Sequence, residues 1–235
     1  MTYEEFWGKI EITEEEKEKS VHYLKYRGVE EHNHVRQYLE SVTGRRASYS
    51  EIATAFRYDK RIRRVLYKYI GLFEESIRAY ISNKYSSNIE GINLTVSTKQ
   101  YIAEYKKLFV ALSELTFRRL ITQVKNLVTV DLIEMFGSYE DDKVLFDDLE
   151  AVVELRNAVS HNRFLLDNKR LKKCSVGDKN NSLWANIVNL WNFLPEPFQT
   201  QFSKEINECA KQGHGIDFET QTDWNLIGEV VVKLS

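Results

Sequence analysis

YDKRIRRVLYKYIGLFEESIRAYISNKY, residues 58–85, holds the strongest periodic signal in the chain. Ile62, Val65, Leu66, Tyr69, Leu72, Phe73, Ile77 and Ile81 recur at spacings of three and four, which places them along one stripe of an α-helix. A helix of this length with one apolar stripe has to bury that stripe against other helices, so the reading that follows is an all-α fold.

The flanking sequence extends the same pattern. Upstream, Thr13 and Glu16 form a capping-box pair before a helix that ends near Gly28; residues 30–44 read as a second helix, and Ser50 as the cap of a short one, SEIATAF, leading into the long helix. Downstream, the polar SSNIEGINLTVST reads as a loop, after which Ser97 or Thr98 caps a helix holding Tyr101, Tyr105, Leu108 and Leu112. Helices are expected over 114–128, 131–136 and 143–162, the last entered through acids that suit its positive N-terminus. The polar run DNKRLKKCSVGDKNN separates these from helices over 182–194 and 196–212, broken by Pro195 and Pro197. The tail GIDFETQTDWNLIGEVVVKLS ends in a segment, EVVVKLS, that suits strand or helix. The expected organisation is a single domain over residues 1–235, with the N-terminal helices (1–56) and the tail (214–235) as appendages.

Composition agrees. The 235 residues are 43% hydrophobic and 29% charged, with only 2 prolines and 10 glycines, as in a helix-rich soluble protein. No apolar run approaches the roughly 18 residues needed to span a bilayer. The start, MTYEEFWGKIEITEEE, is acidic where a secretion signal is basic and then apolar, so a cytoplasmic protein without membrane association is expected. Cys174 and Cys209 form no C-x-x-C pair and predict reduced thiols. Asp141, Asp142, Asp147 and Asp148 are ordinary acids for the start of a helix, and no metal or cofactor is expected.

Charge is unevenly placed. Residues 57–68, RYDKRIRRVLYK, carry six bases and the single acid Asp59, whereas residues 131–154 are strongly acidic. A basic stripe interleaved with aromatic residues suits a phosphate backbone, which nominates Arg57, Lys60, Arg61, Arg63 and Arg64 as RNA contacts; a solvated helix face is the plain alternative.

The chemistry-bearing candidate is ELRNAVSHNRFLL, residues 154–166, where Arg156 and His161 are separated by four residues on an apolar-striped helix. Arg27 and His32 share the spacing, but Gly28 interrupts them. On one straight helix Arg156 and His161 point about 140° apart, whereas Asn157 and His161 share a face. Cutting RNA through its 2′-hydroxyl needs a base, an acid and positive charge on the phosphate, roles that suit histidine and arginine. A symmetric dimer would bring two of each around one groove, with Asn157 orienting an imidazole or a phosphate oxygen. The plain alternative is a surface Arg156 paired with Glu154 or Asp167 and a histidine at a helix C-terminus. His32 and His34, in HNH, lack the surroundings of an HNH nuclease and read as a surface turn or helix face. Trp184 with Trp191, and Phe198 with Phe202, have core or dimer-interface spacing.

RNAVSH resembles the R-x4-6-H signature of HEPN ribonucleases. The basic helix resembles the early segment of the Abi-like (abortive infection) branch, with Asp59, Arg63, Phe73, Glu74 and Arg78 at the matching positions, and GIDFETQTDW resembles its C-terminal end, here with Trp224. The resemblance spans about residues 20 to 225. It implies a HEPN-type helical bundle with additional helices, a homodimer with a composite cleft, and metal-independent endoribonuclease activity used in antiphage defence or as a toxin. Carried over, Arg156 and His161 are catalytic, with Asn157, Glu74 and Arg78 in support. Where toxins silenced by nucleotidyl transfer carry a tyrosine two residues beyond the histidine, this chain has Asn162 and then Arg163, and Arg163 adds a phosphate contact. Implied partners are RNA and an antitoxin, either a protein or a structured RNA. The alternative is a catalytically silent HEPN-like module that binds RNA or protein.

Overall fold

The computed structural model describes residues 1–137, 139, 141–167, 171–176, 182–211 and 234. Among them the regular structure is helical: α1 (Tyr3–Trp7), α2 (Glu14–Arg27), α3 (Val29–Thr43), α4 (Tyr49–Tyr85), α5 (Val96–Tyr105), α6 (Leu108–Ser113), α7 (Phe117–Val124), α8 (Thr129–Phe136), α9 (Asp142–Ser160), α10 (Leu183–Phe193) and α11 (Glu196–Lys211), with a 3-10 turn at Ile89–Gly91. The fold is all-α, and no described helix is long and apolar enough to cross a membrane. Trp224 and nearly all of the tail from residue 214 lie outside the described residues, as does the choice of strand or helix for EVVVKLS.

The chain divides into two compact units. The first comprises Met1–Arg64, Phe164–Asp167 and the chain from Lys204 on. Its N-terminal helices start at reciprocal capping boxes, Thr2 with Glu5 and, as expected, Thr13 with Glu16, each satisfying orphan backbone donors. Gly28, at φ 85°, separates α2 from α3, so Arg27 and His32 fall on different helices. Phe6, Leu24, Val35, Leu39, Ile52, Tyr58 and Ile62 form the core.

Two expectations change in this unit. SEIATAF is not a separate helix. The cap is Ser48, whose hydroxyl accepts from the Glu51 N–H at 3.3 Å while the Glu51 carboxylate accepts from the Ser48 N–H at 2.7 Å. No glycine or proline then interrupts the chain before Gly71, and Ile52, Ala55, Tyr58 and Ile62 run as one buried stripe into the long helix. His32 is not on the surface but buried, stacked on Phe56 with Nδ1 at 2.9 Å from the Gly28 carbonyl, and burial pushes its pKa down. His34 stays half-exposed, 3.4 Å from Asp167.

The second unit comprises Val65–Arg163 and Asn168–Ser203. Phe73 is its aromatic centre, in ring contact with Phe117, Phe136 and Phe193, while Tyr69 meets Phe202 edge-on. Phe202 is core, as its spacing suggests, whereas Trp184 and Phe198 are exposed. The expected helix through Tyr101 and Leu112 is two helices. Thr95, not Ser97 or Thr98, caps α5, and Lys106 adopts a left-handed φ of 60° that ends it. Buried Gln123 organises this corner: Oε1 accepts from the Thr95 N–H and the Thr98 hydroxyl, each at 2.9 Å, and Nε2 donates to the Asn93 carbonyl. Of residues 114–128, Phe117–Val124 form helix α7.

Candidate active site

Helix α9 carries RNAVSH. Asp141 caps it by accepting from the Lys143 N–H at 2.8 Å, and Leu145, Leu149, Val152, Val153, Leu155 and Val159 are buried along it. Asp148 is buried too, accepting from the Ser175 N–H and hydroxyl, so it serves the packing of this helix. At the other end the chain closes in a Schellman arrangement: the Arg163 N–H donates to the Ala158 carbonyl at 2.9 Å and the Asn162 N–H to the Val159 carbonyl at 3.1 Å. Asn162 supplies the left-handed residue this needs, at φ 52°, which explains its place directly after the histidine. His161 becomes the helix C-cap, with its backbone N–H on the Asn157 carbonyl and its imidazole exposed.

A prediction follows from this cap. Asn162→Gly retains stability, whereas Asn162→Val costs about 1–2 kcal/mol, because a β-branched residue resists the left-handed conformation. Thermal melts of the two variants check it, and equal melting temperatures would remove the cap from the account of how His161 is presented.

Arg156 is half-buried and lines a small cleft of about 110 Å³ with Tyr67, Ile70, Gly71 and Glu74 of α4 and Val159 and Ser160 of α9, all in the second unit. The acids that a surface arginine would be expected to meet are engaged elsewhere: Glu154 pairs with Arg118 at 2.5 Å and Asp167 with His34. Among the described residues, neither the Arg156 guanidinium nor the His161 imidazole makes a hydrogen bond or ion pair. The Asn157 side chain, half-exposed beside them, likewise bonds to no described residue.

Glu74 and Arg78 form an ion pair at 2.6 Å. Arg78 also donates to the Leu112 and Leu115 carbonyls at 3.0 Å each, so it ties the end of α6 to α4 and holds the Glu74 carboxylate at the cleft. The sequence shows this pair as an ordinary i,i+4 contact; the carbonyl anchors come from the end of α6 and the turn after it, 34 and 37 residues away in the chain.

The basic stripe is not one surface. Arg63 is buried, with Nε on Asp59 at 2.7 Å, and Asp59 is fully buried and accepts from the Leu165 N–H at 2.5 Å. Arg61 is half-buried, donates to the Cys209 carbonyl at 2.8 Å and lies over the Tyr58 ring. Arg63 and the Nε of Arg61 thus serve internal acceptors, while the buried Nη2 of Arg61 has no hydrogen-bond partner among the described residues. Arg57 and Arg64 remain exposed and Lys60 half-exposed, all in the first unit, and Arg163 is half-buried in the second. Burial pushes Asp59 up to about 6, against the pull of Arg63 and the backbone N–H groups of Leu165 and Leu166. The sequence does hold a signal for this: the one acid of the basic stretch has an arginine four residues on, with tyrosine and isoleucine beside them.

Compared with models of known protein families, with curated proteins and with solved structures, the chain matches none.

Proposed function

We propose that this chain is a HEPN-type, metal-independent endoribonuclease of the abortive-infection kind, an antiphage effector or toxin that attacks phosphate through the RNA 2′-hydroxyl. The observation that carries the reading is Arg156, which lines a cleft and is engaged by no acid among the described residues, on a helix whose cap leaves His161 open to solvent. An arginine so placed is available to a phosphate, and an exposed imidazole to proton transfer. Because residues five apart on a helix point about 140° apart, the active species is a homodimer in which two copies of Arg156 and His161 share one groove, with Asn157 in support.

The deciding experiment incubates total RNA with the purified protein in EDTA and analyses the product ends. Termini with 2′,3′-cyclic phosphate support the reading. Binding without cleavage favours instead a catalytically silent HEPN-like module for RNA or protein.

Phosphate binding falls to Arg57, Lys60 and Arg64 in the first unit and Arg163 in the second. Reversing Arg57, Lys60 and Arg64 together lowers single-stranded RNA affinity and reduces the slope of log K against log salt by about 0.7 for each phosphate no longer neutralised. Fluorescence anisotropy over a salt series measures it, and an unchanged slope would remove these residues from the RNA surface. A toxin of this kind requires restraint, by an antitoxin protein or by a structured RNA held on the same basic residues.

A further inference from the structure

We propose that the cleft between α4 and α9 is a subsite for one unpaired nucleobase bearing an exocyclic amino group. It rests on the ribonuclease reading in taking the phosphate beside that base as the one Arg156 holds.

Three residues of α4 shape the cleft. Tyr67, Gly71 and Glu74 stand at i, i+4 and i+7, within about 60° of the helix circumference, and all three line it. Tyr67 is 68% exposed, and among the described residues its ring meets no other ring. Tyrosine is a large surface to leave in water, and one at the rim of a cleft is placed to stack on a base, whose π-face accepts such a platform whatever its sequence.

Gly71 is the more telling residue. Glycine in the interior of a helix destabilises it relative to alanine. Here the backbone is not left-handed, and a Cβ would meet nothing within 4 Å, so neither conformation nor packing calls for glycine. Its effect is to leave open space in the lining of the cleft, to which Ile70 and Val159 add apolar surface.

Glu74 sets the selectivity. Its Oε1 accepts from Arg78, while Oε2 has no bond to a described residue. A carboxylate held in this way only accepts, so it favours the amino hydrogens of cytosine, adenine or guanine over uracil, whose Watson–Crick-edge donor, N3–H, lies between two carbonyl oxygens that repel a carboxylate. Bases inside an A-form duplex are stacked and cannot enter such a cleft, which confines the substrate to single strands, loops and bulges.

The test measures binding and cleavage in EDTA for dye-labelled adenosine, cytidine and uridine decamers and an RNA duplex. The proteins are wild type, Tyr67→Ala, Gly71→Ala and Glu74→Gln. Wild type is expected to bind adenosine and cytidine decamers about five- to tenfold more tightly than uridine, and the duplex more weakly. Tyr67→Ala lowers adenosine decamer affinity about tenfold. Gly71→Ala lowers it about as much while melting about 1–4 °C higher, a combination that damage to the fold would not produce. Glu74→Gln removes the preference over uridine, read as a ratio that is insensitive to overall affinity. Cleavage by wild type with unchanged rates and base preference in Tyr67→Ala and Gly71→Ala overturns the subsite and leaves the ribonuclease reading standing. Base-selective binding with no cleavage supports the subsite and sinks the ribonuclease reading. Absence of both binding and cleavage sinks both.

Discussion

On the proposed ribonuclease function, His161→Ala is expected to lower the rate of metal-free RNA cleavage by about 10²–10⁴-fold, the range over which a positioned side chain contributes by proton transfer. Arg156→Ala lowers it by about 10²–10³-fold, as loss of a charge donor to the pentavalent phosphate does. Arg156→Lys recovers little of that, since the ammonium keeps the charge and loses the forked pair of donors that matches phosphate oxygens. The losses are chemical and not structural. His161 is exposed, and neither side chain bonds to a described residue, so both alanine variants keep stability within about 0.5 kcal/mol of wild type. Single-turnover cleavage of a defined RNA, beside thermal melts, separates the two effects. Alanine variants that cut as fast as wild type would refute the assignment of RNAVSH as the active site; variants that melt far lower would assign it to the fold.

What the sequence shows of this molecule follows the range over which each force acts. Helix periodicity and capping are local, so the long helix through Ile62, Phe73 and Ile81 and the Thr13 capping box are legible from spacing alone. The start of α4 is misplaced by two residues because Ser48 and Ser50 both suit a cap, and only the position of Glu51 relative to Ser48 decides between them. The break at Lys106 is hidden because a lysine rarely takes a left-handed φ, so its sequence carries no stop signal. Charge misleads for the opposite reason. Six bases in twelve positions encircle a helix, and the residues packed against it decide which of them reach solvent. Arg63 points to buried Asp59 and Arg61 to a carbonyl 148 residues away in the chain, neither of which a charge pattern encodes. The cleft at Arg156 is likewise tertiary: spacing identifies the arginine and histidine, but not that Tyr67, Gly71 and Glu74 face the arginine.

Asp59→Ala destabilises the protein by about 3–5 kcal/mol, since removing one member of a buried ion pair leaves the Arg63 guanidinium buried without its carboxylate. The melting temperature falls by about 6–20 °C. Two backbone donors are also stranded, the N–H groups of Leu165 and Leu166, which Asp59 holds just beyond the cap of α9. The same carboxyl carries a pH signature. Its ordinary value is 3.8 and in the fold it is pushed up to about 6, because burial penalises the anion by more than Arg63 and the N–H groups favour it. Between those two values the folded state holds more of the proton than the unfolded state does. The Asp59 contribution to stability is therefore greatest below about pH 4, declines as pH rises through 6, and is level above that, a change of the order of 3 kcal/mol. Glu51 and Glu150, held below their ordinary values by Arg45 and Ser48 and by Lys125 and Arg118, change stability in the opposite sense. The informative quantity is thus the difference between wild type and Asp59→Asn, in which the titrating group is gone and the side chain keeps its shape. Chemical denaturation of both proteins from about pH 4 to about pH 7 should give a stability difference that moves against Asp59 as pH rises. A difference that instead grows in favour of wild type with rising pH would mean that Arg63 outweighs burial, and that the pair is held as a full salt bridge at every pH at which the protein is folded.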